Sequence, residues 1–132
     1  MSDVLLYLAI VFIFLFFVFF YFIKNKENYD YNHPMLKTLR DRISKIDKKF
    51  ENIPLRAGNA AYTENKSVIT LCLEDPNTKK SYSVDVMTYV LLHELAHMIS
   101  ENYGHGDEFK KNFGMLLEKG IEKGIYNPNI PI

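Results

Sequence analysis

The sequence has a single cysteine, no tryptophan, no net charge, and no lysine or arginine before residue 24. One cysteine, Cys72, excludes an intramolecular disulfide framework. The balance of 16 basic and 16 acidic side chains excludes a global field of either sign, and with it a generic argument for nucleic acid or an acidic partner. At 132 residues the chain suits one ordinary domain and leaves no room for a second core. The missing charge is localised: Asp3 is the one ionisable acid or base among the first 23 residues apart from tyrosine and the terminus, and all the others follow.

That gap in charge is filled by hydrocarbon. Residues 4–23, VLLYLAIVFIFLFFVFFYFI, contain no charge, glycine or proline. As a helix they span about 30 Å, the thickness of a bilayer's hydrocarbon core. A segment apolar all round has no face for water, and Tyr7 and Tyr21 lie towards its ends, where amphipathic rings favour the interface. Residues 1–24 are read as a single transmembrane anchor. A cleaved signal peptide fits less well, because the amino-terminal flank carries no basic residue and no small-residue cleavage site follows. Lys24 and Lys26, then Lys37, Arg40 and Arg42, place the rest of the chain in the cytosol or a particle interior by the positive-inside rule.

Residues 25–33 (NKENYDYNH) read as a polar tether, and residues 34–132 as the domain. Pro34 opens an amphipathic helix in which Leu36, Leu39, Ile43, Ile46 and Phe50 recur at three- and four-residue steps, predicting an end near Phe50. Residues 60–63 and 68–73 are short β-type runs joined by turn-rich residues 64–67, so a hairpin is expected, with a third short strand at 81–84. Cys72 falls in the second run and is read as a small buried strand residue rather than a zinc thiolate. Asp85 is the expected N-cap of a helix reaching about Glu101, apolar nearly all round and so the buried central helix. Gly104 and Gly106 break the chain before a last helix that starts at Asp107 or Glu108, with Phe109, Phe113, Leu116, Leu117 and Ile121 as its apolar positions.

The chemistry lies in His93-Glu-Leu-Ala-His97. Residues four apart project from one helix face, so two neutral imidazoles can share one zinc ion at about 2.0–2.1 Å each. Glu94 sits beside that pair, within reach of a metal-bound water but outside the ligand set, as a base for hydroxide attack on a carbonyl. A catalytic zinc site has three protein ligands and an open position. His105, between two glycines that let the chain reverse, is the candidate third; Glu118 and Glu122 are the rivals. His33 lies outside the cluster and is read as solvated. Tyr89 and Tyr103 are conceivable oxyanion donors, though packing or surface roles are the simpler reading.

His93-Glu-Leu-Ala-His97 followed by His105-Gly-Asp-Glu-Phe109 resembles the WLM and SprT-like zinc metallopeptidases, whose pattern is H-E-L-x-H, a short variable segment, then H-G-x-x-F. The stretches Tyr62-Thr-Glu-Asn-Lys, Ile69-Thr-Leu-Cys-Leu73 and Tyr89-Val-Leu-Leu92 resemble WLM-type proteins of large DNA viruses. The likeness covers about residues 34–130. It implies an α+β, minimal zincin-like domain, a small sheet packed on an active-site helix, preceded here by a single transmembrane helix. It implies Zn2+ held by His93, His97 and His105, Glu94 as catalytic base, Phe109 as a core aromatic, and a protein or peptide substrate added to a sheet edge, for which residues 68–73 are the expected strand. Seven residues separate His97 from His105, more than in some relatives. A zinc-stabilised, non-catalytic module of a membrane or viral envelope is the alternative, favoured if a fourth protein ligand closes the coordination sphere. Direct contact with nucleic acid is not expected, since no basic stripe with aromatics appears. The sequence does not address oligomeric state.

Overall fold

The computed structural model describes residues 2–24 and 28–130; the expected tether residues 25–27 and the two carboxy-terminal residues lie outside the described part. The protein is α+β, with four α-helices and a three-stranded sheet among the described residues. Helix α1, Ser2–Lys24, has no buried residue and is long and apolar enough to cross a membrane or to act as a signal sequence.

Pro34, at the first turn where its missing N–H costs nothing, starts α2, Pro34–Ser44. The helix ends earlier than its apolar spacing predicts. A turn follows, then a short 3₁₀ helix, Lys48–Asn52, capped by the Asp47 carboxylate accepting from Lys49 N at 3.0 Å. Phe50 still reaches the core, because the 3₁₀ turn keeps it on the same side as Ile43. Residue His33 is not solvated: its Nδ1 caps α2 by accepting from Met35 N at 3.2 Å.

Three strands follow: β1, Leu55–Ala57, β2, Tyr62–Glu64, and β3, Val68–Leu71. Their order is β1-β3-β2, with β1 parallel and β2 antiparallel to β3. The expected hairpin is β2–β3; in its three-residue loop, 65–67, Asn65 and Lys66 take φ 49° and 53°, and Ser67 N–H closes the turn on the Glu64 carbonyl at 3.0 Å. The run 68–73, expected to offer a free edge, instead supplies the central strand, and β1 and β2 are the edges. Ile69, Thr70 and Leu71 are all buried, as a strand paired on both sides requires. Cys72 lies just past β3, half-buried, its thiol donating to the Glu74 carbonyl. The expected strand at 81–84 is reduced to one bridge, Glu74 with Ser81, because Val84 already belongs to the next helix.

Helix α3, Val84–Ile99, is capped by Ser83, whose Oγ accepts from Val86 N at 3.1 Å. Asp85 is therefore inside the first turn rather than the cap, and it pairs with Arg42 at 2.9 Å. The same guanidinium donates to Thr88 Oγ1 and to the Ile125 carbonyl, joining α2, α3 and the tail. α3 packs against α2, β2, β3 and the last helix, α4, Asp107–Glu122. Leu91, Leu92 and Leu95 of α3 are fully buried between Leu36 and Leu39 of α2, Ile69 and Leu71 of β3, and Leu116 of α4. Each such side chain contributes about 1.5–3 kcal/mol of burial. Ile121, expected on the apolar face of α4, is 47% exposed at its last turn.

Candidate metal centre

Burying the Leu91–Leu92–Leu95 stripe turns the other side of α3 outward, and that side carries His93 and His97. The two rings stand 5.0 Å apart, one helical turn from each other. Beyond α3 the chain must double back to bring a third side chain to them. Ser100 ends the helix, its N–H and hydroxyl both donating to the Ala96 carbonyl. Gly104 then takes φ 92°, a conformation costly for any residue with a Cβ, and His105 returns over the helix. Two contacts hold this loop. Lys66 Nζ, from the β2–β3 turn, donates to the carbonyls of Ser100 and, at 2.7 Å, Glu101. Glu108, in the first turn of α4, accepts from Asn102 N at 2.8 Å, and the backbone N–H groups of Asn102 and Glu101 hold its carboxyl below the usual range.

The three imidazoles converge. Nε2 of His105 lies 3.0 Å from Nε2 of His97 and 3.2 Å from Nε2 of His93, and the ligand atoms of all three lie within 4.8 Å of one another. A tetrahedral ion with bonds of about 2.0–2.1 Å sets its ligand nitrogens about 3.3–3.4 Å apart, so the separations fit one small divalent ion. Hydrogen bonding alone accounts for them less well. A neutral imidazole carries one N–H, so three Nε2 atoms facing one another leave lone pairs opposed. Burial, and then the neighbouring rings, push the His93 and His97 pKa values down, which favours the neutral, ligating form. Phe109 is buried as expected and also packs among the rings, stacked on His97 at 4.3 Å and edge-on to His93 and His105.

Glu94 is only 7% exposed, and burial raises the pKa of its carboxyl against the opposing effects of the Thr63 hydroxyl and His105. Thr63 Oγ1 lies 2.9 Å from Glu94 Oε2 and 3.0 Å from the Glu94 carbonyl oxygen. The hydroxyl thus fixes the carboxylate against β2. Thr63 was not among the residues expected from sequence, and no local signal marks it, since its partner is 31 positions away.

A cleft of about 440 Å³ opens onto this group, lined by Tyr62, Thr63 and Lys66 on one side, Tyr103 and Gly104 on another, and the histidines with Glu94 at its base. The Tyr103 side chain is 85% exposed at the rim, with Lys66 Nζ 5.1 Å from its ring centre. Tyr89 packs against Phe113 and Tyr126. Glu118 and Glu122 are exposed on α4 and are not part of the convergent group; neither is Cys72.

The chain resembles uncharacterized protein 042R of Invertebrate iridescent virus 3, 37% identical over 82 residues, covering 62% of this chain and 52% of that protein. It also resembles uncharacterized protein 136R of Invertebrate iridescent virus 6, 32% identical over 60% of this chain and 46% of the relative. A third relative is uncharacterized protein R325 of Acanthamoeba polyphaga mimivirus, 31% identical over 70% of this chain and 47% of the relative. The chain thus spans about half the length of these relatives, all of them viral. No protein-family model matches the chain, and no solved structure matches it significantly.

Proposed function

We propose that this chain is a zinc-dependent peptidase of the WLM or SprT-like kind, with a minimal zincin-like domain held at a membrane by α1. The observation that carries the reading is the meeting of three imidazole Nε2 atoms beside a buried carboxylate at the base of an open cleft. His93, His97 and His105 would hold the ion. When bound, zinc supplies Lewis acidity, polarising a carbonyl and making water a stronger acid.

The rest is the work of the chain. Glu94 accepts the proton of the attacking water at its carboxylate. The water oxygen bonds to the carbonyl carbon, the peptide C–N bond breaks, and Glu94 returns the proton to the leaving amine. A carboxyl whose pKa is raised by burial is a better proton acceptor than a solvated one, and Thr63 keeps it aimed. The exposed edge of β2 and the rim around Tyr103 offer room for an extended polypeptide. The basic residues after α1 favour a cytosolic or particle-interior domain.

A fourth protein ligand would favour the non-catalytic alternative. Among the described residues three ligand atoms converge, and their open side faces the cleft. The test is Glu94→Gln in the full chain, with an unfolded protein such as casein as probe. Hydrolysis should vanish while one zinc per chain is retained. Equal hydrolysis by wild type and variant would overturn the role of Glu94, and zinc-loaded wild type with no hydrolysis at all would favour the structural module.

A further inference from the structure

The chain between anchor and domain is short, and its far end is tied down. α1 ends at Lys24, and Tyr29 follows five positions later. Asp30 is already part of the domain: its N–H donates to the Ala57 carbonyl at 3.0 Å, and Ala57 N–H donates to the Asp30 carbonyl at 2.7 Å. These bonds form an antiparallel bridge on the outer edge of β1.

The side chain of Tyr29 is held as firmly. Its ring centre lies 3.6 Å from the guanidinium carbon of Arg56, and its hydroxyl lies 2.7 Å from that of Tyr62. Arg56 is buried and always charged, and it is fixed by Thr70 Oγ1 at 2.8 Å and the Glu64 carboxylate at 2.7 Å. Tyr62 also lines the cleft, one residue before the threonine that holds Glu94. The latch on the tether and the wall of the cleft are therefore the same strand, β2.

Five extended residues reach at most about 18 Å, and two tyrosine side chains end to end bring the cleft rim to no more than roughly 35 Å from the end of α1. A second extended chain leaving the bilayer covers that distance in about ten residues. We propose that the cleft acts on juxtamembrane segments of polypeptides anchored in the same membrane. This rests on the peptidase reading and on α1 spanning a bilayer. The reaction is the hydrolysis already written, with water as the one co-reactant. Anchoring enzyme and substrate in one bilayer confines both to the same thin layer of solution beside the membrane, an advantage that a freely diffusing chain lacks.

The test uses the full chain, zinc-loaded, in phosphatidylcholine vesicles. Three reporters carry one unstructured 20-residue segment of mixed sequence: directly after a transmembrane helix, lifted above the membrane by a folded spacer longer than the reach, or free in solution. The directly anchored reporter should be cut at least tenfold faster than the other two. A 20-residue Gly/Ser insertion between Lys24 and Asn28 should restore cutting of the lifted reporter. Equal cutting of anchored and free reporters overturns the juxtamembrane assignment and leaves the peptidase reading intact. Failure to cut any reporter overturns both.

Discussion

Replacing Thr63 with Val tests whether the carboxylate of Glu94 is held for proton transfer. Valine keeps the shape and strand preference of threonine and removes the hydroxyl alone. That hydroxyl faces two oxygens of Glu94, Oε2 at 2.9 Å and the carbonyl at 3.0 Å, but has one hydrogen to give. A hydrogen bond to a charged group contributes about 1.5–3 kcal/mol, and sharing it between two acceptors puts the expected loss near the lower end, about tenfold in rate. The direction with pH follows from the same contact. The Thr63 bond lowers the Glu94 pKa against the raising effect of burial. Removing it raises that pKa further, so less of the ionised base is present at a given acidic pH. In Thr63→Val, kcat/KM should fall about tenfold at neutral pH and the acidic limb of its pH profile should move to higher pH, with zinc content unchanged. Thr63→Ser should recover most of the rate. A wild-type profile in Thr63→Val would refute the positioning role, and loss of zinc would show that the hydroxyl supports the fold instead.

Replacing His105 with Ala should cost more than tenfold in zinc affinity by chelator competition while leaving the apo-protein folded, because its ring is the most exposed of the three. Lys66→Met removes the donor to the Ser100 and Glu101 carbonyls and should weaken zinc binding about tenfold, with Lys66→Arg retaining most of it. Chelation of the wild-type domain should lower its melting temperature, since an ion at 1,000 times its Kd stabilises by about 4 kcal/mol. Leu92→Ala, at a fully buried position of α3, should cost about 3 kcal/mol in denaturant unfolding, and a cost below about 1 kcal/mol would contradict the packing described.

Much of the site is legible along the chain because its parts are local. His93, Glu94 and His97 are set by helical spacing, and His105 by the glycine that lets the loop reverse. The expected boundaries fail where non-local contacts decide. Ile46 and Phe50 keep a helical spacing through a turn and a 3₁₀ helix, so periodicity overruns the end of α2. β1 is three residues long and pairs in parallel with a strand 14 positions away, leaving no alternation to detect. The run from Val68 was expected at an edge, although its unbroken apolar character is the mark of a central strand. Thr63, Lys66 and Tyr29 act on partners 31 to 35 positions away, and nothing near them in sequence signals those contacts.

X-ray absorption at the zinc edge, on the purified full chain, reads the ligand shell itself. One zinc per chain is expected, with three imidazole nitrogens at about 2.0–2.1 Å and a remaining oxygen ligand. A closed shell of four protein ligands, sulfur in the shell, or a signal unchanged by His97→Ala would contradict the three-histidine centre.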